Sequence, residues 1–233
     1  MATMPATSPT GQPEPAAADW FGSAAGQAIL DSEADVLLAG LSERRGLPWL
    51  WLAPRDGREP ARAEGRGLRL VAEKDRWIGD VRCTIPFPLA SESIGAIVLQ
   101  HVLTRDRAGQ DLLEECARIL VPGGRLVLFA LNPLAPYRWR WRGAGLKSSE
   151  PLLWRRRLRL AGLEPEPLSQ GIGPSWREAP SPNLQQGVGL RAAFLLRAEK
   201  RVIPLTPVRT RRRAPVAEGL PAIRAARNAI GDS

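Results

Sequence analysis

The chain has 233 residues, 44% of them hydrophobic, and 33 Lys and Arg against 24 Asp and Glu give a net charge of +9. That length fits one α/β domain with tails, and that apolar content suffices for a full core without disulfides. One histidine and two cysteines, Cys83 and Cys116, at no metal-like or redox-like spacing, exclude a His-rich or Cys-rich metal site.

MATMPATSPTGQPEPAAADW has no basic n-region and no apolar h-region, so it is not a secretory leader. No apolar run approaches the ~20 residues of a membrane span. A cytoplasmic protein with reduced thiols is expected. The charge is uneven: Arg138 to Leu160 holds eight basic residues against Glu150, and Pro204 to Ser233 six arginines against Glu218 and Asp232. Residues 1–137 carry 14 basic and 17 acidic groups. A near-neutral fold with two basic appendages follows, and those appendages are candidates for contact with nucleic acid or another anionic surface.

In chain order, residues 1–18 are Pro/Ala/Thr-rich and predicted to be disordered. Leu30, Ala34, Leu37 and Leu41 repeat at helical spacing, which predicts a helix over Ala24 to Leu41 ended by Gly46 and Pro48. Trp49 to Ala53 is a predicted first strand and Leu68 to Ala72 a second, separated by a breaker-rich stretch. Ala96 to Leu103 is short and apolar enough for a buried strand. Gln110 to Leu120 is an amphipathic helix with Leu112, Leu113, Cys116, Ala117 and Leu120 on one face, which makes Cys116 a core residue. Val121-Pro122-Gly123-Gly124 is a turn, and Arg125 to Leu131 an apolar strand covered on both faces. Strand, crossover helix and parallel strand make a right-handed βαβ unit.

Tyr137-Arg138-Trp139-Arg140-Trp141-Arg142 alternates cation and aromatic. If extended, it sets three arginines on one side and Tyr137 with two tryptophans on the other, a face suited to bases and phosphates or to an anionic membrane surface. The competing expectation is a cap whose tryptophans pack on the sheet while the arginines stay in water. Ser149 to Leu160 is a predicted helix capped by Ser148 or Ser149, with Pro151 in its first turn and Gly162 beyond its end. Leu163 to Leu168 is a candidate strand weakened by two prolines, Gly171 to Gly189 a polar loop, and Leu190 to Glu199 a last strand. The domain is bounded at 19–203, and 204–233 is a basic tail predicted to be disordered.

The ordered run Ile85-Pro86-Phe87, Ser91, His101-Val102-Leu103, Ala117-Arg118-Ile119-Leu120-Val121-Pro122-Gly123-Gly124 and Leu131-Asn132-Pro133 resembles the second half of the class I S-adenosylmethionine-dependent methyltransferase domain. It is most similar to the type 11 branch related to ubiquinone-pathway enzymes, over about Ile85 to Pro133. The resemblance implies a three-layer α/β sandwich with a mostly parallel, seven-stranded-type, Rossmann-like sheet and an antiparallel last strand. Strand 1 would lie between strands 2 and 4. The interval Glu73 to Asp80 is too short for a crossover helix plus strand, since such a crossover takes about 10–12 residues, so the fold is expected to be shortened at strands 2–3.

The same resemblance implies S-adenosylmethionine as cofactor, bound beyond the carboxyl ends of the strands where strand order reverses. The family's acid-x-Gly-x-Gly-x-Gly after strand 1 appears as Ala53-Pro54-Arg55-Asp56-Gly57-Arg58, with Ala53, Asp56 and Gly57 in the cofactor positions and one glycine left. Glu73 stands where an acid accepts from the ribose hydroxyls, and Asp80 where an acid meets the adenine amino group. His101 lies where the sulfonium is approached. The family's Asp opening strand 4 is Gly95, and its Glu-His after His101-Val102-Leu103 is Thr104-Arg105. His101 and Tyr137, the only histidine and the only tyrosine, are the weak catalytic candidates, and Asn132-Pro133 can face substrate. Two functions stay open: a methyltransferase for an unidentified acceptor, and a catalytically silent methyltransferase-like domain that binds a partner, anionic or otherwise.

Overall fold

The structure is a computed structural model and describes residues 19–55, 63–73 and 76–201. These fall within the unit Met1–Val202. The expectations for the two tails, and for Asp56 and Gly57, fall outside the described residues.

Twelve elements follow in chain order: α1 (Ala24–Ser42), β1 (Trp49–Ala53), β2 (Gly67–Glu73), β3 (Arg76–Gly79), β4 (Ile94–Gln100), α2 (Arg107–Ile119), β5 (Leu120–Leu131), α3 (Pro151–Leu160), β6 (Leu163–Pro165), β7 (Gln170–Ile172), β8 (Gln185–Gln186) and β9 (Ala193–Lys200). Single 3-10 turns stand at Trp20–Gly22 and Pro136–Arg140. The strands form one mixed sheet in the order β3-β2-β1-β4-β5-β9-β7-β8, with β6 also on β9. β1 lies between β2 and β4 and is parallel to both. β4 runs parallel to β5 with Val98 opposite Val127 and Leu99 opposite Leu128, as the strand–helix–strand pattern predicts. β9 is antiparallel to β5.

Period-two alternation assigns the two faces. Trp51, Ala53, Val98, Val127, Phe129, Ala193 and Leu195 point toward α1. Leu50, Leu52, Ile97, Leu99, Leu126, Leu128, Phe194 and Leu196 point toward α2 and α3. Each fully buried aliphatic side chain stabilises the fold by about 1.5–3 kcal/mol. The approach of α1 is close: a Cβ on Gly40 would stand 3.1 Å from Val127 Cγ2. Local signals fix the helix starts. Ser23 caps α1 by accepting from Gly26 N at 3.1 Å, and Asp106 caps α2 by accepting from Gly109 N at 3.2 Å. Cys116 is wholly buried on α2, and burial pushes its thiol well up.

The β2–β3 link is an antiparallel hairpin with Glu73 opposite Arg76, so the fold is shortened there as expected, and a hairpin is what so short a link permits. Three expectations need correction. The 163–168 strand is broken in two. β6 ends at Pro165, one further ladder bond runs from Glu166 N to Arg197 O at 2.8 Å, and β7 resumes the same edge of β9 at Gln170. With β8 added inside the expected polar loop, the sheet has nine strands rather than seven. Neither Ser148 nor Ser149 caps α3: Glu150 holds the cap position, without a side-chain bond, and Pro151 opens the helix.

Candidate functional site

The carboxyl ends of β1, β2, β4 and β5 bring Ala53-Pro54-Arg55, Glu73, Gln100-His101 and Leu131-Asn132 to one edge of the sheet. β1 has β2 on one side and β4 on the other, so the strand order reverses between the ends of β1 and β4, the position where open α/β sheets bind ligands.

His101, directly after β4, has φ +54. This left-handed conformation is uncommon for a residue with a Cβ and concentrates at functional sites. Its backbone N–H still donates to Phe129 O at 3.1 Å. Its side chain is 2% exposed, and Nε2 lies 2.9 Å from Oε1 of Glu33, which is 0% exposed on α1. The other Glu33 oxygen accepts from Gln100 Nε2 at 2.9 Å. With an amide donor on one oxygen, the carboxylate accepts Nε2–H on the other. That bond sets the tautomer and leaves Nδ1 as the second ring nitrogen. Phe21, from the turn ahead of α1, stacks on the imidazole at 4.8 Å and 24°. His101 Nδ1 is buried and has no protein partner.

Beside this ring lies a cavity of about 30 Å³, lined by Phe21, His101 and Leu131 from below and by Lys147, Ser149 and Trp154 from the segment leading into α3. A larger hollow, about 210 Å³, opens around Arg44, Leu47 and Trp49. It sits at the amino end of β1, away from the strand ends that carry the chemistry, so the smaller cavity is the relevant one.

The residues expected in the site divide into two groups. Ala53 is wholly buried at the end of β1 and Pro54 is buried after it. Glu73 stands at the end of β2, half-exposed, with Oε1 3.7 Å from Arg55 Nη2; Arg55 also reaches Asp19 at 3.9 Å. These join His101 at one edge. Asp80 does not. Its carboxylate accepts from Arg69 N at 2.6 Å, closing the β2–β3 hairpin near the start of β2 and away from Glu73. The antiparallel hairpin reverses the direction on which the adenine-contacting position depends.

Tyr137 is a core residue: it is 0% exposed, donates to Ala25 O at 3.2 Å, and burial raises its phenol. Asn132 donates to Gly189 O and Arg191 O and accepts from Leu134 N, so its side chain organises the loop after β5. The 137–142 segment is not extended. Its 3-10 turn buries Tyr137 and Trp141, one helical turn apart, leaves Trp139 59% exposed, and pairs Arg140 with Glu178. That is the cap arrangement. Arg157 is likewise committed, donating to the carbonyls of Thr104 and Asp106 at 2.9 and 3.0 Å. Arg138, Arg142, Arg156 and Arg159 remain exposed.

Sequence reasoning missed Glu33, Gln100 and Phe21. A signal for Glu33 exists: it falls between Leu30 and Leu37 on the buried stripe of α1, and a carboxylate there needs a buried partner.

For S-adenosylmethionine, the described residues fit in part. Glu73 offers an accepting carboxylate at the end of β2, and His101 lines the cavity at the end of β4. The pairing of Arg55 with Glu73, and the buried Ala53-Pro54, run against the family's glycine-rich cradle. Among the described residues, no cluster of His, Cys, Asp and Glu could hold a metal ion, and no helix is long and apolar enough to cross a membrane.

No protein-family model matches the chain, and no curated protein matches it. Solved structures do. A SAM-dependent methyltransferase from Thermotoga maritima is 17% identical, with 78% of this chain and 93% of that one covered at a TM-score of 0.52. A chain of a methyltransferase–activator complex from Haloferax volcanii is 15% identical, with 80% and 98% covered at a TM-score of 0.50. The fold is the Rossmann-like fold of class I S-adenosylmethionine-dependent methyltransferases; identities this low establish the fold alone.

Proposed function

We propose that the chain is an S-adenosylmethionine-dependent methyltransferase of the type 11 branch, acting on a small-molecule acceptor. The observation that carries this reading is the buried Glu33–His101 pair at the carboxyl end of β4, with the histidine in the left-handed conformation and its Nδ1 without a protein partner. The methyl donor, when bound, supplies an electrophilic methyl group. Glu73 would accept from its ribose hydroxyls, and Ala53, Asp56 and Gly57 would lie along its methionyl part.

The chain's own work is positioning and proton handling. Glu33 fixes the tautomer of His101, so the neutral ring presents the Nδ1 lone pair. That nitrogen takes the proton of a hydroxyl or amine acceptor as its oxygen or nitrogen attacks. Phe21 and the 146–154 segment exclude water from the ring, which strengthens the Glu33–His101 attraction. Holding the acceptor in line supplies much of the rate in such a transfer. Two free thiols, Cys83 and Cys116, suit the reducing cytoplasm.

A second reading has its own support: Arg55 Nη2 stands 3.7 Å from the Glu73 carboxylate, as a silent, partner-binding domain would have it. Thermal unfolding with added S-adenosylhomocysteine separates the two. The enzyme reading expects a melting temperature that climbs with ligand concentration, by mass action on the folded state; an unchanged melting temperature favours the silent domain.

A further inference from the structure

The cavity beside His101 holds a second set of buried polar atoms that the reaction above does not use. Ser149 is 6% exposed and Trp154 is 2% exposed. Both line the cavity, and neither Ser149 Oγ nor Trp154 Nε1 has a protein partner. A buried hydroxyl or indole N–H without a bond costs the fold about 1–3 kcal/mol, and such groups in native proteins find partners. Lys147 lines the same cavity; it is exposed and has no ion pair among the described residues. The N-terminus of α3 falls within this segment, and its partial positive charge favours an anion.

Indole N–H, hydroxyl and ammonium are all donors. His101 lines the same cavity, and its Nδ1 in the neutral ring is an acceptor. The lining therefore calls for an anionic oxygen group together with a group bearing a proton. With room of about 30 Å³, the ligand is small.

We propose that this cavity is the acceptor site and that it takes a small carboxylic acid whose other end is a hydroxyl or amine. The carboxylate accepts from Trp154 Nε1–H, Ser149 Oγ–H and Lys147, and the protic end faces His101 Nδ1. This assignment rests on the methyltransferase reading for its purpose, though the binding itself needs no methyl donor.

The test is a nuclear magnetic resonance titration of the full chain with glycolate, acetate and acetamide. His101 is the only histidine, so its ring signals need no assignment, and the Trp154 indole N–H is identified with a Trp154→Phe variant. Acetate and glycolate should both move the Trp154 indole signal saturably while acetamide does not, and glycolate alone should also move the His101 ring. Ser149→Ala should weaken acetate binding by roughly tenfold, the loss of one bond to a charged group, and Lys147→Gln should weaken it without altering the free-protein spectrum of His101. No saturable movement with acetate, or equal movement with acetamide, overturns the assignment. The methyl donor is absent from every arm. A chain that binds acetate as described but not S-adenosylhomocysteine keeps the anion site and loses the methyltransferase reading; the converse result does the opposite.

Discussion

Glu33 Oε1 lies 2.9 Å from His101 Nε2, and Glu33 Oε2 accepts from Gln100 Nε2 at the same distance. One carboxylate on α1 thus binds two consecutive residues at the end of β4, tying the helix layer to the candidate site. Removing it strands two buried polar groups. Glu33→Ala should lower stability by about 3 kcal/mol, read by chemical denaturation, whereas Glu33→Gln, which keeps the volume, should cost less. Both should move the His101 ring resonances; unchanged resonances would show that the carboxylate does not orient the ring.

Glu115 holds the loop ahead of β4. Its Oε1 accepts from Phe87 N at 2.7 Å and from Arg118 Nη2 at 2.7 Å, and the Arg118 hydrogen bond, aided by the Phe87 N–H, holds its carboxyl below the usual value. Because the folded value is the lower one, the charged form is favoured in the fold. Its contribution is present above the ordinary carboxylate range and fades as pH falls through the depressed folded value. Glu115→Gln should therefore flatten the acid limb of the stability–pH curve, and Glu115→Ala should cost about 1–3 kcal/mol near neutrality by leaving the Phe87 N–H unpaired. Acid limbs that superimpose for wild type and Glu115→Gln would contradict this.

Arg55 and the donor's ribose would compete for the Glu73 carboxylate. If Glu73 accepts from the donor's ribose, Arg55→Ala should tighten the binding of S-adenosylhomocysteine by freeing the carboxylate. Glu92→Ala should leave that binding unchanged, since Glu92 precedes β4 at the far end of the sheet and pairs with Lys200 at 3.1 Å. Weaker binding in Arg55→Ala would instead make the arginine part of the ligand site.

Arginines 138, 142, 156 and 159 stay exposed, whereas Arg140 and Arg157 are committed within the fold. Any affinity for a polyanion should fall steeply with salt, and each of these arginines in contact should contribute about 0.9 to the slope of log K against log salt for duplex DNA. Replacing all four with Ala should weaken binding alike on every sequence; a sequence-dependent loss would mean base readout.

The parallel core was legible because β4, α2 and β5 are local, and two short continuous apolar runs flank one helix with a 3.6-residue apolar period. The edges were not legible. The antiparallel pairing of β3 on β2 depends on tertiary contacts, and the 163–172 stretch is split into two strands joined only by their common partner β9. Glu73 and His101 could be placed at the ends of β2 and β4 by motif. Glu33 is 68 residues from the histidine it holds, and only the packing of α1 on the sheet brings them together. The same packing shows why Tyr137 and Asp80 stand apart: one is spent on the Ala25 carbonyl, the other on the Arg69 N–H.

The most direct measurement is a calorimetric titration of the full chain with S-adenosylhomocysteine, repeated with Glu73→Ala. A methyltransferase with Glu73 at the ribose should give saturable heat, and the variant should bind roughly ten- to a hundredfold more weakly, the loss of a charge-assisted hydrogen bond. No heat from the wild-type chain at millimolar ligand would contradict the account and leave a methyltransferase fold used for binding alone.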